Sequence, residues 1–442
     1  MLMTLLLLAS AGLLVLAVFL LVVPAWCVRA AALAVTVAVV VAVGNNSAPP
    51  AAWVAGFVFS AVLLLVALAR GGLERRVGGV PFLLVSGLWA WLAVGALVAG
   101  TYSVPRLVAY FGLAVVVALV AGQLTRREVH LVLGAVVAVA VVQVGIALAE
   151  LAVGEPLLWG LRGGTRLNPF LGDAVDRVQG TLGHPIILGL LEGLAVLLVW
   201  ADPWQLSRRA RWALLAVCAG GVLLSGTRSI AACLVVAVGV HLLLRSRLAA
   251  WLRNVAIAAV VGSGVLLLDL GLSEIVDDLL ASGSWVHRLE SVQAVPALLA
   301  RPLAESLWGT GFGSEVGLFR DGHIRLTFGL EVVDNFYVYL LGTTGVLGLS
   351  VFLLVAVVTF ARGDRLTRAV VVLFLGMGAS FDLVVWLGVG VLMSLFFALP
   401  GAAALAASDR AEQQGRSARD LEAAAAADGG SAREDRRPAL VA

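Results

Sequence analysis

Apolar runs recur along nearly the whole chain, each closed by a short polar break. Crossing the hydrocarbon core of a bilayer takes about 20 mostly apolar residues. By that measure thirteen segments qualify, at 2–23, 28–44, 51–69, 80–99, 105–122, 129–151, 185–201, 212–226, 229–244, 253–270, 335–360, 368–381 and 382–400. The pattern predicts an all-α polytopic membrane protein of about 12–14 transmembrane helices. The 212–244 and 368–400 stretches are each divided by only a few polar residues, so each reads as two spans or as one bent or re-entrant element. The first run lacks a basic leader and is too long for the apolar core of a signal peptide, so it reads as an uncleaved helix.

Two longer polar intervals interrupt the spans: 152–184, and 271–334 between the tenth and eleventh apolar segments. The chain thus divides into spans over 1–270, a large loop with short helices at 271–334, further spans over 335–407 and a tail at 408–442. Arginine placement orients it, because short cytoplasmic loops retain positive charge. Arg70, Arg75 and Arg76, then Arg126 and Arg127, then Arg208, Arg209 and Arg211, then Arg245, Arg247 and Arg253, then Arg362, Arg365 and Arg368 alternate with arginine-poor connections such as 44–50. All five fall on one side, which puts 152–184 and 271–334 together on the extracytoplasmic side. The tail mixes six arginines, seven acidic residues and an alanine run. Its composition cannot bury enough apolar surface to offset ordering entropy, so it is expected to be disordered in the cytoplasm.

Composition agrees: 61% hydrophobic residues, 13% charged residues and a mean hydropathy of +1.04 lie far from soluble domains. The formal net charge is only +3, and nothing points to nucleic acid. Cys27, Cys218 and Cys233 lie in or beside apolar segments, which argues against a disulfide framework or a thiolate metal site. The five histidines show no metal-ligand spacing on one helix, and neither a GxSxG elbow nor an HExxH pair occurs. Gly309, Gly311 and Gly313 form a GxGxG run, but no strand pattern precedes it, so a dinucleotide site is excluded. No cofactor is expected.

Three features could carry chemistry. Arg177 stands just before a span in DRVQGTLGHP, and Arg228 lies in LLSGTRSIAA, a polar break between two apolar runs. Each suits either an interfacial side chain reaching lipid headgroups or a fork of donors for a phosphate-bearing ligand. Residues 285–300 have amphipathic spacing, with Trp285, Leu289, Val292 and Val295 set against His287, Arg288, Glu290 and Gln293; an interfacial helix is expected there. In EVVDNFYVYLLGTTGVLG, residues 331–348, the polar pair Asp334-Asn335 sits where the outer loop meets a span. Gly342, Gly345 and Gly348 follow near one helix face, where small residues admit another helix or a lipid chain. Asp334 suits a general base or a helix cap. Glu192 and Asp382, by contrast, are ionisable groups inside apolar runs, and on their account a polytopic transporter or a lipid or oligosaccharide flippase is the alternative reading.

Together these landmarks resemble the O-antigen ligase and O-antigen polymerase superfamily of membrane glycosyltransferases. The ligase signature in that family is His followed by Asn, Ser or Gln, then nine residues, then Gly-x-x-Gly. Here Asp334-Asn335, the nine residues Phe336 to Thr344, and Gly345-Val346-Leu347-Gly348 keep that spacing with the histidine replaced. RVQGTLGHP, LLSGTRS and HRLESVQAVPALLARPLAESLWGTGFGS are similar to its other recurrent stretches, in the same order, over roughly residues 170–360. The resemblance implies a GT-C-like fold and a metal-independent, inverting glycosyl transfer from a polyprenyl-diphosphate-linked glycan to a hydroxyl of a glycan, lipid or protein acceptor. It places the active site on the outer side of the cytoplasmic membrane. Asp334 and Asn335 would be the catalytic positions, and Arg177, Arg228 and Arg288 would bind the diphosphate. Loss of the histidine favours polymerase over ligase, because members that polymerise repeat units need not carry it.

Overall fold

The structure, a computed structural model, describes residues 21–72, 79–160, 167–244, 289–325 and 331–400, with Leu16, Phe19, Leu405 and Gln414. Most of the first apolar run, the 253–270 segment, Arg288 and the tail lie outside the described residues. Long helices dominate: α1 Val28–Val43, α2 Pro50–Gly71, α3 Gly79–Ala99, α4 Val104–Ala121, α5 Arg126–Val153, α6 Pro185–Ala201, α7 Arg208–Ser225 and α8 Arg228–Leu243. After the short helices α9 Val295–Leu299, α10 Leu303–Trp308 and α11 Glu315–Arg320 come α12 Phe336–Arg362, α13 Arg365–Gly378 and α14 Leu387–Ala398. By length and composition, six described helices can cross a membrane, at Ala25–Val43, Pro50–Gly71, Phe82–Ala99, Val104–Ala121, Arg126–Val153 and Phe336–Arg362. The chain is therefore a multi-pass, predominantly α-helical membrane protein.

Both ambiguous stretches divide into two helices. Residues 212–244 break at Gly226, whose φ of +61° is a left-handed conformation that ends α7. Both α7 and α8 pack against α6. The 368–400 stretch breaks over 379–386, so Asp382 lies in a connection between α13 and α14 and not within a span. One element was not expected: a two-stranded antiparallel hairpin, β1 Leu167–Asn168 and β2 Gly172–Asp176, in the first long loop. Asn168 explains it. Its side-chain oxygen accepts from the Phe170 and Leu171 N–H groups at 3.0 and 3.3 Å, a local turn, while its amide donates to the Leu223 and Leu224 carbonyls at the end of α7.

Contacts at the helix ends fix which connections share a face. At one end, Arg29 at the start of α1 forms a two-pronged ion pair with Glu128 in the first turn of α5 (3.1 and 2.9 Å) and donates to the Gly72 carbonyl after α2. Arg127 lies over the Trp26 ring, Trp204 donates to the His130 carbonyl, and Thr359 donates to the Phe397 carbonyl. The described arginine-rich connections therefore gather at this end, as their alternation implied. At the opposite end, Gly388 donates to the Gly44 carbonyl, Asn45 to Thr181, Thr101 to Phe312, and Thr227 to Pro185.

Between the two faces, lipid-embedded helices gain by van der Waals fit and by satisfying every polar group internally. Trp89, Tyr110, Phe57 and Phe111 build one aromatic cluster, in which the Tyr110 hydroxyl donates to the Val384 carbonyl at 2.6 Å and Trp89 donates to Ser394. Small residues let α6 approach its neighbours: Gly189 faces Ser225 and Thr227, and Gly193 faces Ile230.

Candidate functional site

The end that carries both long loops gathers most of the unusual polar side chains. There α12 begins at Phe336, and its N-cap is Asn335: the side-chain oxygen accepts from the Tyr337 and Val338 N–H groups, both at 3.1 Å, and the amide donates to the Ala379 carbonyl at 3.3 Å. The capping role open to Asp334 is thus taken by its neighbour. Asp334 stands one residue ahead of that cap, two ahead of the helix.

Facing it is Asp382, buried in the 379–386 connection, with an oxygen that accepts from the Trp386 indole N–H at 3.1 Å. Burial pushes the Asp382 carboxyl well above the usual range. The nearby Asp334 carboxylate adds to this, the Trp386 bond and its own backbone N–H oppose it, and Glu315 raises it further. Ionising Asp382 beside the Asp334 carboxylate therefore carries a cost. Glu315, at the start of α11, is also raised by burial, against which its own backbone N–H and the Tyr339 hydroxyl pull the other way. Tyr339 in turn accepts from the Gly313 N–H at 3.0 Å, which ties the loop to α12.

The arginines form a second corner. Arg177 donates from Nε to the Ser225 carbonyl at 2.8 Å and from Nη2 to the Thr227 hydroxyl at 3.1 Å, so it braces the α7–α8 break. Its side chain packs against Gly226, where an added Cβ would strike both Arg177 and Pro169 at 2.9 Å. Arg228, the first residue of α8, is exposed immediately beyond that brace. Sequence reasoning placed both arginines in one role, and the fold brings them to one place. Arg288 lies outside the described residues.

His184 joins the two corners. It caps α6, with Nδ1 accepting from the Ile186 N–H at 3.1 Å, and its ring rests on Trp386 and Phe381 at 5.2 and 6.2 Å between centroids. The next carbonyl, of Pro185, accepts from Thr227, which also holds Arg177. A continuous set of contacts therefore runs from Arg177 through Thr227, Pro185, His184 and Trp386 to Asp382. The 177–184 segment that carries it is held by buried polar groups. Glu150 accepts from the Gln179 and Gly180 N–H groups, Gln143 from the Thr181 N–H, and Asn45 donates to the Thr181 carbonyl.

The three glycines of α12 do not share one helix face, because the helix is broken at Gly345, with φ +68° and ψ −174°. The loop segment 298–313 packs into the break. Gly342 faces Leu298 and Leu318, Gly345 meets the Leu307 backbone, and Gly348 has Thr344 and the Trp91 indole at its open side. Protein, not lipid, occupies the space these glycines open. The break frees carbonyls that a continuous helix would satisfy, and the loop supplies donors. Arg301 donates to Gly342 and Leu341 at 3.0 and 3.2 Å, and the Gly311 N–H donates to Thr343 at 2.7 Å.

Sequence reasoning did not connect Asp382, His184, Glu315 or Arg301 with this site. Two carried a local signal: His184, a polar residue directly before Pro185 at the start of a span, and Asp382, an ionisable group in an apolar run that was read toward transport. No family model matches the chain, and no curated protein matches it at a significant level.

Proposed function

We propose that the chain is a membrane glycosyltransferase that transfers or polymerises glycans from a polyprenyl diphosphate onto a hydroxyl acceptor, at the end formed by the two long loops. The observation that carries this reading is the convergence of an arginine corner and a carboxyl pair through His184 and Trp386. A diphosphate is already a good leaving group. What remains is to stabilise the negative charge that develops on it, to orient the acceptor, and to take the acceptor's proton.

In this scheme Arg228, with Arg177 holding its turn in place, faces the diphosphate. The acceptor oxygen attacks the anomeric carbon from the opposite side, the bond from that carbon to the diphosphate oxygen breaks, and the acceptor proton passes to the Asp334–Asp382 pair. A carboxyl whose proton affinity is raised by burial and a like-charged neighbour holds an accepted proton more readily than a free carboxyl does. Asn335, fully used in capping, positions Asp334 and does not touch the reacting atoms.

The test is incubation of purified protein with candidate polyprenyl-diphosphate glycans and analysis of product size. A ladder indicates polymerisation, and a single addition indicates ligation. Asp334→Asn keeps the size of the side chain but cannot take a proton, so its rate is expected to fall at least 100-fold, in line with the usual contribution of a general base. A near-normal rate in folded protein would remove Asp334 as base.

Transport remains the second reading, on one observation: Glu192 is fully buried within α6, against Gly221 of α7. A carboxyl at such a depth is the kind of group that translocation pathways use. Uptake or flipping of a labelled glycolipid by proteoliposomes, with no change in glycan length, would favour it.

A further inference from the structure

We infer that residues 298–313 form a re-entrant hairpin whose outer surface is immersed in the hydrocarbon of the extracytoplasmic leaflet, so that this part of the large loop lies inside the membrane and not above it.

Depth can be read from two neighbouring spans. Trp308 stacks on Trp91 with ring centroids 5.1 Å apart. Trp91 precedes Ala99, the outer end of a crossing helix, by eight residues, or about 12 Å at 1.5 Å per residue. Leu307 meets Gly345, nine residues or about 13 Å along α12 from its outer end at Phe336. One leaflet's hydrocarbon is about 15 Å thick. The tip therefore reaches most of the way to the midplane by both measures.

The chain then climbs back along α3. Gly311 and Phe312 lie against Gly95 and Ala99, and Gly313 lies against Thr101 and Tyr102 beyond the helix end. On the way down, Leu298 and Arg301 meet Gly342 and Leu341 of α12. Entry and exit are on the same side.

The segment's polarity is arranged for hydrocarbon. Leu298 and Phe312 pack inward, but three large apolar side chains point outward: Leu299 is 49% exposed, Leu303 75% and Trp308 58%. Its buried polar side chains, Arg301 and Ser306, are satisfied by protein. Arg301 is buried and donates to three carbonyls, with Glu305 beside it to offset its charge. The Ser306 hydroxyl is bonded to the Leu299 and Arg301 carbonyls. Water would favour the reverse arrangement, whereas hydrocarbon requires this one. The preceding helical residues continue the pattern, since Leu289 and Val292 are exposed while Ser291, Ala294 and Leu298 are buried. Of the expected amphipathic helix, residues 285–288 lie outside the described residues; over the rest Leu289 and Val292 face outward with Gln293 beside them, where a headgroup and acyl boundary would receive them.

The test uses full-length protein in lipid nanodiscs. The three native cysteines are replaced (Cys27→Ser, Cys218→Ala, Cys233→Ala), and a single nitroxide is introduced by Leu299→Cys, Leu303→Cys, Trp308→Cys or Arg320→Cys. Collision with oxygen, which partitions into lipid, is compared with collision with a water-soluble nickel chelate. We expect oxygen to dominate at 299, 303 and 308, with 308 deepest, and the chelate to dominate at 320. Position 303, exposed and without a packing role, guards against a variant that misfolds on loss of the tryptophan stack. Chelate access at 299 and 303 equal to that at 320 would overturn the inference.

Discussion

Arg177 and Arg228 look alike in the sequence and differ in the fold. Arg177 directs two donors to the α7–α8 turn, whereas Arg228 stands exposed past it. Lysine keeps the charge but loses the planar fork. Arg228→Lys is therefore expected to raise the KM for the diphosphate substrate at least tenfold while leaving thermal stability unchanged. Arg177→Lys should lower both activity and the melting temperature, because one of its two bonds to the turn is lost; equal behaviour of the two variants would contradict this division. Asp382 gives a prediction with a definite sign. Its folded-state pKa is raised, so its contribution to stability is full below the usual carboxylate range and is lost as pH rises through its own raised value. Melting measured in detergent should therefore show wild type losing stability as pH rises above the usual carboxylate range, to a smaller degree in Asp382→Asn. The carboxamide stays neutral and still accepts from Trp386. A steeper loss in the variant would show that the ionised carboxylate is stabilised, against the burial argument. These residues were legible locally but their division of roles was not: Asp334 could be singled out at a loop–span junction, but that Asn335 would take the cap depends on the φ/ψ of one residue.

Among the elements, α12 departs furthest from its sequence pattern. Its apolar run and its N-cap region read correctly as a span, yet the glycines within it read as a smooth packing face. The break at Gly345 exists because a segment about 40 residues earlier inserts there, and no local periodicity encodes such an approach. Gly345→Ala would place a Cβ against the Leu307 backbone and hold a non-glycine residue at positive φ. Strain of this kind costs about 1–3 kcal/mol before the clash is counted. The variant is expected to melt lower and to expose the 301–313 region to protease. Gly87→Ala, at an open position on α3, should change neither. By contrast the α7–α8 break was visible as SGTR between two apolar runs, because a turn needs only local residues: glycine for the positive φ, and serine and threonine to bond the turn.

For the whole molecule, the alternation of arginine-rich and arginine-poor connections was the most informative feature of the sequence, since it follows from charge against a membrane and not from contacts. Reporter fusions after residues 123, 206 and 363 are expected to read cytoplasmic, and those after 158 and 321 extracytoplasmic. A cytoplasmic signal at 321 would remove the outer site altogether. The ion pair of Arg29 and Glu128, at the face opposite that site, has a consequence for biosynthesis. The partners are 99 residues apart and both are buried. At about 5–20 residues per second, Glu128 leaves the ribosome roughly 5–20 s after Arg29. Until then α1 carries an unmatched cation at its arginine-rich end, which tethers it to the headgroups and postpones its docking. Glu128→Gln should leave that tether unrelieved. Pulse-chase labelling is expected to show nascent chains degraded by membrane proteases before assembly, while the survivors turn over substrate normally; early quality control, and not the chemistry, would register the loss.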